Sequence, residues 1–362
     1  MKLLQLTEMS NRYGLDEEYV LAGGGNTSYK EDGVMFVKGS GTSLGTITPE
    51  QFVQMDMEKL SGMLKKEYPA ADDAREAAAL ADMMDARLPG EENKRPSVEA
   101  VLHAIFPQRF VLHIHPALVN GVSCAKDGEK ACRELFGGTA VWVPLTKPGY
   151  ILASVCRELF DEYEKKNQRY PEIVILENHG LFVAADTSGK IDELTARVMN
   201  KLKSRIIEFP DFSKSCVDTE AVRETMEQLK SVYPEDGTAH AIFFTGAQAL
   251  EQELAAPFTP DHIVYCRHTP LFLEKGGGYS SKFDAYKKAY GFAPRIAFVK
   301  GLGFFALGKT EKEAKTAKLL FVDAMKVAVY TRSFGGVNPL PEDFVNFILN
   351  WEVENYRQKA SF

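Results

Sequence analysis

Two histidines in one short apolar stretch constrain the fold more than any other feature of the sequence. The stretch Val111-Leu112-His113-Ile114-His115 is followed by Pro116, and a short apolar run that ends at a proline predicts a β-strand. Side chains two residues apart in a strand point to the same face, so His113 and His115 project together while Ile114 turns into the core. Because neutral imidazole is the commonest protein metal ligand, the strand predicts half of a metal site. A polar-faced strand with chance histidines is the alternative.

A third histidine lies at a predicted turn. Residues 171–184 read as strand, tight turn and strand, which places His179 beside Gly180. Three histidines from two segments, with a carboxylate, fit a catalytic metal site better than a structural zinc site, which takes four protein ligands and often cysteines. The five cysteines are dispersed without CxxC spacing, so we expect reduced thiols in a cytoplasmic protein.

Two glycine-rich segments predict an anion-binding cradle. Residues 23–28 read Gly-Gly-Gly-Asn-Thr-Ser and residues 38–43 read Lys-Gly-Ser-Gly-Thr-Ser. Glycines leave backbone N–H groups open to an anion, and Asn26, Ser28 and Lys38 add side-chain donors. Plain turns are the alternative. Neither segment has GxGxxG or P-loop spacing, so a nucleotide-binding fold is not predicted.

A helix is predicted to open at Arg95-Pro96-Ser97-Val98-Glu99, because proline and serine are common where a helix begins. Glu99 lies one turn in, and His103 is its i+4 neighbour on the same face. Taken alone, Glu99 is a surface acid favoured by the helix dipole, and His103 is a half-buried helix histidine.

Length and composition indicate a two-domain globular protein. The 362 residues carry a net charge of −7, which gives no sign of a nucleic-acid partner. No apolar run reaches the length of a membrane span, and no signal peptide is expected. A change of composition near 210–240 predicts a first domain at 1–210 and a second at 211–362.

The second domain is predicted to be a degenerate copy of the first. Residues 294–305 align with 171–182 without gaps, and Leu302 takes the place of His179. Residues 263–267 resemble the strand at 111–115 with both histidines lost. In this interpretation the second domain kept the fold and lost the metal, and His262 and His268 are ordinary loop residues.

Five motifs in order, GGGNTS, KGSGTS, RPSVE, HIHP and ENHGLFVA, resemble the class II aldolase/adducin family. They are most like fuculose-phosphate-type aldolases and the aldolase portion of rhamnulose-phosphate aldolase/dehydrogenase fusions. The resemblance implies an α/β fold, an α/β/α sandwich around a mainly antiparallel central sheet. It implies Zn²⁺ or another divalent metal on His113, His115 and His179. It also implies that Glu99 ligates the resting metal and acts as general base.

The resemblance further implies a pocket for a substrate phosphate, made by Gly25, Asn26, Ser40, Gly41 and Ser97. Val98 stands where fuculose-type aldolases have a second serine, which leaves open whether the substrate is phosphorylated; Lys38 is the candidate to compensate. The family is commonly oligomeric, so a homo-oligomer is expected. A tyrosine proton donor of the family has no assignable counterpart here.

The implied activity is reversible retro-aldol cleavage of a ketose-1-phosphate into dihydroxyacetone phosphate and a small aldehyde, through a metal-stabilised enediolate. An epimerase or decarboxylase on the same scaffold needs the same ligands and is the first alternative. A non-catalytic adducin-like interaction protein is the second, although such members are expected to lack the histidines. No nucleic-acid or membrane partner is expected.

Overall fold

The structure, a computed structural model, describes residues 2–212, 218–233, 237–242 and 250–351, with the side chains of 241 and 242 left aside. The described chain forms two compact units. Unit 1 comprises residues 2–123 and 128–205 with Trp351, and unit 2 comprises 124–127 and the described part of 206–350. The described helices include none that is both long and apolar enough to cross a bilayer.

Unit 1 is a sheet flanked by helices. Its helices are α1 (Lys2–Gly14), α2 (Met57–Met63), α3 (Asp72–Asp85), α4 (Ala100–Ile105), α5 (Ala117–Ser123), α6 (Gly128–Phe136), α7 (Tyr150–Asn167) and α8 (Ser188–Lys203). Its strands are β1 (Asn26–Glu31), β2 (Val34–Lys38), β3 (Phe52–Asp56), β4 (Phe110–Ile114), β5 (Val141–Val143), β6 (Ile173–Leu176) and β7 (Gly180–Ala185).

The sheet of unit 1 has the order β3-β2-β1-β4-β7-β6-β5. Every neighbouring pair is antiparallel except β5 with β6, so the predicted mainly antiparallel α/β fold is confirmed. All five residues of β4 are buried, as expected of a strand covered on both faces. Val111 packs with Phe182 and residues of α4 and α7, whereas α8 contacts β4 and β7.

Local predictions for unit 1 hold with shifted boundaries. The first helix spans Lys2–Gly14. In the segment 23–28 only the three glycines precede the strand, because β1 already begins at Asn26. The helix predicted to open at Arg95 begins at Ala100, after Ser97 bonds back to Lys38. The proline at position 96 therefore belongs to an extended bridge to Gly39 rather than to the helix.

Unit 2 contains a smaller sheet. Its helices are α9 (Thr219–Val232), α10 (Pro260–Cys266), α11 (Tyr279–Tyr290), α12 (Glu311–Thr331) and α13 (Glu342–Asn350). Its strands are β8 (Thr238–Ile242), β9 (Leu271–Leu273), β10 (Ile296–Val299) and β11 (Gly303–Gly308). Helices α9 and α11 pack on the sheet through a core that includes Leu229 and Phe283, and α12 contacts β8, β10 and β11.

The two sheets share a topology. The order β8-β11-β10-β9 in unit 2 has the same strand directions as β4-β7-β6-β5 in unit 1: two antiparallel pairs and then one parallel pair. The hairpin registers match as well, since Ile173 faces Val183 and Ile296 faces Ala306. This agreement supports the gap-free alignment of the two hairpins, and a degenerate second copy stays a prediction.

One part of that prediction is wrong. Residues 263–267, taken as the counterpart of the histidine strand, lie in and just after helix α10. Thr259 caps this helix by accepting a hydrogen bond from the His262 backbone N–H, and Pro260 occupies its first turn. His262 is accordingly a buried helix residue, not a loop residue. The strand that holds the place of β4 is β8, and its pairing sets Ala241 opposite Phe305 as His113 lies opposite Phe182.

The repeated caps give a test of the fold. Thr187 and Thr310 each accept a hydrogen bond at 3.2 Å from the N3 backbone N–H of the helix after the hairpin. We expect Thr187→Ala and Thr310→Ala each to lower the free energy of unfolding by about 1 kcal/mol, because each leaves a helix amide without its acceptor. Urea denaturation measures the loss. The Thr→Ser variants keep the acceptor and serve as controls; equal losses in Ser and Ala variants would contradict the capping role.

Candidate metal centre

His113 and His115 lie at the end of β4 with their rings on one side. Their Nε2 atoms are 2.8 Å apart, as the spacing of two residues along a strand predicts. The His113 ring stacks on Phe182 with centroids 4.0 Å apart, and its Nδ1 lies 3.1 Å from the Leu181 carbonyl oxygen. Because a carbonyl only accepts, Nδ1 of His113 carries the proton, and the lone pair of its Nε2 faces His115. A backbone carbonyl behind the imidazole is the usual support of a metal-binding histidine.

His179 reaches the same point from the hairpin between β6 and β7. Asn178, immediately before it, has φ of 53°, a left-handed conformation that asparagine tolerates better than most residues. Gly180, immediately after it, leaves room for the strand histidines: a Cβ there would lie 2.6 Å from His115 Cδ2 and 2.6 Å from the Ile114 oxygen. The Asn-His-Gly sequence therefore produces the turn that brings His179 to His113 and His115.

The three imidazoles form one cluster. A nitrogen from each of His113, His115 and His179 lies within 4.8 Å of the others. His113 is fully buried and His179 is 9% exposed. The sequence prediction that these three residues lie together agrees with this geometry.

Glu99 lies against the cluster from the start of α4. Its Oε1 is 3.3 Å from His113 Nε2 and 3.6 Å from His179 Nε2. The same oxygen is buried, and among the described residues no hydrogen-bond donor reaches it. An imidazole lone pair and a carboxylate oxygen repel each other unless a cation or proton lies between them, and three nitrogens with one oxygen suit a catalytic zinc-type ion. The residues thus fit a divalent metal held by His113, His115 and His179, with Glu99 as the fourth ligand.

A buried hydrogen-bond chain supports Glu99 from behind. Asn26 Nδ2 donates to Glu99 Oε2 at 2.6 Å, and the Asn26 Oδ1 accepts from His103 Nε2. His103 Nδ1 lies 2.7 Å from Ser28 Oγ. Since Nε2 must carry the proton to donate to Asn26, Nδ1 accepts from the serine. Burial keeps this imidazole neutral by lowering the pKa of His103 well below its ordinary value, and Lys30 and His113 add to the effect.

The structure places His103 and Ser28 in surroundings that the sequence did not predict. His103 is fully buried rather than half-buried, and the hydroxyl of Ser28 is fully buried against it. The Ser28 hydroxyl, predicted to line an anion cradle, therefore donates to His103 in the protein interior. Asn26 was predicted to contact phosphate. Its amide nitrogen instead donates to Glu99, and its amide oxygen accepts from His103. The i to i+4 spacing of Glu99 and His103 was the available signal.

The remaining predicted anion-binding residues lie along two adjoining segments. The Ser97 N–H donates to the Lys38 carbonyl at 2.9 Å, and the Ser40 N–H donates to the Arg95 carbonyl at 2.7 Å. Lys38 and Ser97 are buried, and Gly41 is exposed with φ of 83°. Gly25 packs against β4, where a Cβ would lie 2.8 Å from the His113 oxygen. The Ser97 hydroxyl also accepts a hydrogen bond from the Glu99 N–H at 3.4 Å. The two segments therefore lie next to Glu99.

Removal of one histidine tests the cluster. We expect His113→Ala or His179→Ala to reduce the bound divalent metal from about one ion per chain to a trace, because two imidazoles and one carboxylate leave the ion too few protein ligands. Elemental analysis of the purified variants measures this, and circular dichroism checks that they remain folded. His240→Ala, in unit 2, is the matched control. Metal content equal to wild type in His179→Ala would contradict the assignment.

Gly180 gives a second test. We expect Gly180→Ala to lower the free energy of unfolding by about 1–3 kcal/mol, because the added methyl group overpacks the site, and to weaken metal binding by displacing His115. Gly189→Ala is the control, since no atom lies within 4 Å of its Cβ position and a helical Gly→Ala change stabilises by about 0.5–1 kcal/mol. A neutral effect of Gly180→Ala on both measurements would show that the close approach is not required.

Comparison with known proteins identifies the family. The sequence model of the class II aldolase and adducin N-terminal domain matches residues 5–198. An uncharacterized oxidoreductase, YuxG, of Bacillus subtilis (strain 168) is 25% identical over 409 residues, which cover 98% of this chain and 58% of that protein. The chain thus spans little more than half the length of this curated relative.

Solved structures of the family are similar over a little more than half of this chain. The N-terminal class II aldolase domain of a conserved protein from Thermoplasma acidophilum is 25% identical, with 56% of this chain and 93% of that chain covered and a TM-score of 0.48. L-fuculose-1-phosphate aldolase from Thermus thermophilus is 16% identical, with 56% and 94% covered and a TM-score of 0.36. By the match over residues 5–198, this chain belongs to the class II aldolase and adducin family.

Proposed function

We propose that this chain is a divalent-metal-dependent aldolase that cleaves a ketose-1-phosphate, or a related hydroxy-ketone, into a three-carbon ketone donor and a small aldehyde. The observation that carries the proposal is the convergence of His113, His115 and His179 with the buried Glu99 carboxylate. Family membership supports an enzyme of the aldolase, epimerase and decarboxylase group. A purely structural member has no need of this ligand set, which is costly to bury.

Zn²⁺ or another divalent ion, when bound, would act as a Lewis acid for the negative charge that develops on the donor oxygens. Three neutral imidazoles would leave its charge undiminished. The protein groups around it would then bind the substrate, orient it and move its protons.

Glu99 is proposed as the general base on the donor ketone. In the synthesis direction a proton leaves the hydroxymethyl carbon, and Glu99 Oε1 is the carboxylate oxygen that no donor among the described residues occupies. Asn26 holds the other oxygen at 2.6 Å, so the carboxylate would keep one orientation while Oε1 takes the proton. A general base must lie within hydrogen-bond reach of the proton it removes, and the position of Oε1 beside the imidazoles satisfies this for a ketone bound there.

His103 is proposed as a positioning residue. Its neutral Nε2–H group fixes the amide of Asn26 so that Nδ2, not Oδ1, faces Glu99. A flipped amide would set an oxygen against the carboxylate and push it out of this orientation by repulsion.

The substrate phosphate is proposed to bind where Gly25, the Lys38–Gly41 segment and Ser97 adjoin, beside Glu99. The Ser40 and Ser97 hydroxyls and the Lys38 ammonium would supply the hydrogen-bond donors and the positive charge, because the backbone N–H groups of Ser40 and Ser97 already donate to carbonyls. Remote binding energy of this kind aligns the reacting carbons. Val98 is half-buried at the place of the family's second serine, so this cradle has one hydroxyl donor fewer than that of the fuculose-type enzymes.

A variant of Glu99 tests the proposal. Purified protein with one added divalent metal is assayed for aldehyde release from a panel of ketose-1-phosphates, and for exchange of the donor ketone's hydroxymethyl proton with deuterium. We expect Glu99→Gln to lose about 10²–10⁴-fold in proton exchange, the typical contribution of a general base, while it retains metal. Glu92→Gln, at an exposed site, is the control. Undiminished exchange in Glu99→Gln would remove the residue from the base role, and a product epimer without aldehyde would favour an epimerase.

A further inference from the structure

The sheet of unit 1 has an open edge at β5. In the described sheet β5 is the last strand, and it pairs with β6 on one side. A cavity of about 440 Å³ lies beside the other side of β5 and is lined by residues of helices α6 and α7. This volume lies within the range of roughly 300–1,000 Å³ of pockets that hold ligands. All of the lining residues belong to unit 1, and none of them is a ligand of the proposed metal centre.

The backbone of Trp142 faces this cavity. The Glu177 N–H donates to the Val143 carbonyl at 2.9 Å, so the polar backbone groups of Val143 are directed to β6. Successive residues of a strand direct their N–H and C=O groups to opposite sides, so both groups of Trp142 point to the open edge. Ala140 has extended backbone angles, φ −128° and ψ 148°, and its carbonyl therefore points the same way. In the described part of the chain no backbone group pairs with Trp142 from this side.

The open edge is short. Pro144 follows β5 and has no N–H, and its carbonyl accepts a hydrogen bond from Thr146 Oγ1 at 2.8 Å. On the other side the chain turns through the 3₁₀ segment Gly137–Thr139. The free backbone groups are therefore confined to residues 140–142, which suits a strand that pairs over about three residues.

The charges around the cavity balance. Glu129 and Arg133 on α6 form an ion pair at 2.7 Å, and Glu162 and Lys166 on α7 are exposed. These two acids and two bases give the cavity lining no net charge. The lining therefore favours an uncharged occupant over an anion or a cation.

Apolar side chains lie on both faces of the strand at this edge. A Cβ at Gly128 would lie 3.0 Å from the Trp142 ring, so the half-buried indole lies against the start of α6. Leu159 and Tyr163 line the cavity from α7 and pack on the core of that face. Burial raises the pKa of the Cys132 thiol to about 12, so this side chain is uncharged and unreactive. A residue paired with Trp142 would lie beside the indole, where a β-branched or aromatic side chain packs well.

We propose that the open edge at residues 140–142 binds an uncharged, extended segment of a partner protein, which adds to the sheet as an antiparallel strand. One residue of the segment would exchange two backbone hydrogen bonds with Trp142, as in a hydrogen-bonded antiparallel pair. The N–H two residues further along the segment would donate to the Ala140 carbonyl. In strand addition the main-chain hydrogen bonds give affinity, and pockets for the side chains give specificity.

A second copy of this chain fits the edge less well than a lone segment. Antiparallel pairing of two β5 strands would place a two-fold axis between them, and such an axis sets the same surface of each copy against itself. Helix α6 would then meet α6 and α7 would meet α7, although the cavity between these helices is only wide enough to be filled by a peptide. The binding site is also independent of the proposed aldolase chemistry.

Amide hydrogen exchange of the zinc-loaded full chain, followed by nuclear magnetic resonance, tests the proposal. The probe is the acetylated and amidated pentapeptide Ser-Thr-Val-Thr-Ser, which is uncharged and has a β-branched central residue. We expect saturating peptide to slow exchange of the Trp142 amide about tenfold, and to leave the amides of helix α8 unchanged. The same peptide with an N-methylated valine lacks the N–H that would donate to Trp142 and should bind about tenfold more weakly.

A variant that fills the cavity is the second arm of the test. Gly138 lines the cavity, and the nearest atom to a Cβ there is Asn167 Oδ1 at 4.0 Å. We therefore expect Gly138→Phe to fold and to abolish peptide binding. Gly189→Phe, at an open position of α8, is the size-matched control and should bind the peptide as wild type does.

Three results would overturn the proposal. The first is a Trp142 amide that exchanges equally fast with and without saturating peptide. The second is equal peptide affinity in Gly138→Phe and Gly189→Phe, or for the N-methylated and unmodified peptides. The third is protection of the Trp142 amide that rises with protein concentration in the absence of peptide, which would assign the edge to a second copy. Aldehyde release, measured in Gly138→Phe, reports separately on the proposed metal centre.

Discussion

The pairing of β4 with β1 on one side and β7 on the other is the constraint on which the candidate site depends. In this register His113 lies opposite Asn26 and opposite Phe182. The pairing with β1 places the Asn26 amide beside Glu99. The pairing with β7 places the Phe182 ring against the His113 imidazole, and Phe182 lies three residues beyond His179. A one-residue slip of β4 would turn its histidine to the other face of the sheet. The apolar residues that fill both faces of β4 therefore also set the geometry of the polar site.

The polar groups behind the histidines explain how so many ionisable residues remain buried together. Leu181, Asn26, His103 and Ser28 each satisfy one polar atom in a way that fixes the direction of the next. The one exception in this chain of contacts is the Glu99 oxygen beside the imidazoles, which no donor among the described residues reaches. A network completed everywhere except at one oxygen is what the proposed metal and substrate site requires. In unit 2 the hairpin of the same topology carries Leu302 where the hairpin of unit 1 carries His179.

Much of the first unit was predictable because its signals are local. Alternation at 111–115, the Asn-His-Gly turn and the ordered motifs predicted strand, hairpin and family. The hydrogen bonds of His103 and Ser28 were not predictable. They depend on how helix α4 packs against strand β1, and neither segment alone determines that packing. The error at 263–267 has a physical reason as well. A short apolar run fits a strand or a buried helix equally well, and the Thr-Pro start that favours a helix was overlooked.

We propose that three imidazoles and one carboxylate oxygen surround a single divalent ion. X-ray absorption at the zinc edge of the purified, zinc-loaded protein tests it most directly, because imidazole and sulfur ligands give distinct distances. We expect a first shell of nitrogen and oxygen at about 2.0–2.2 Å, with outer-shell scattering from three imidazoles and no sulfur. A sulfur shell at about 2.3 Å, or scattering from fewer than three imidazoles, would contradict it.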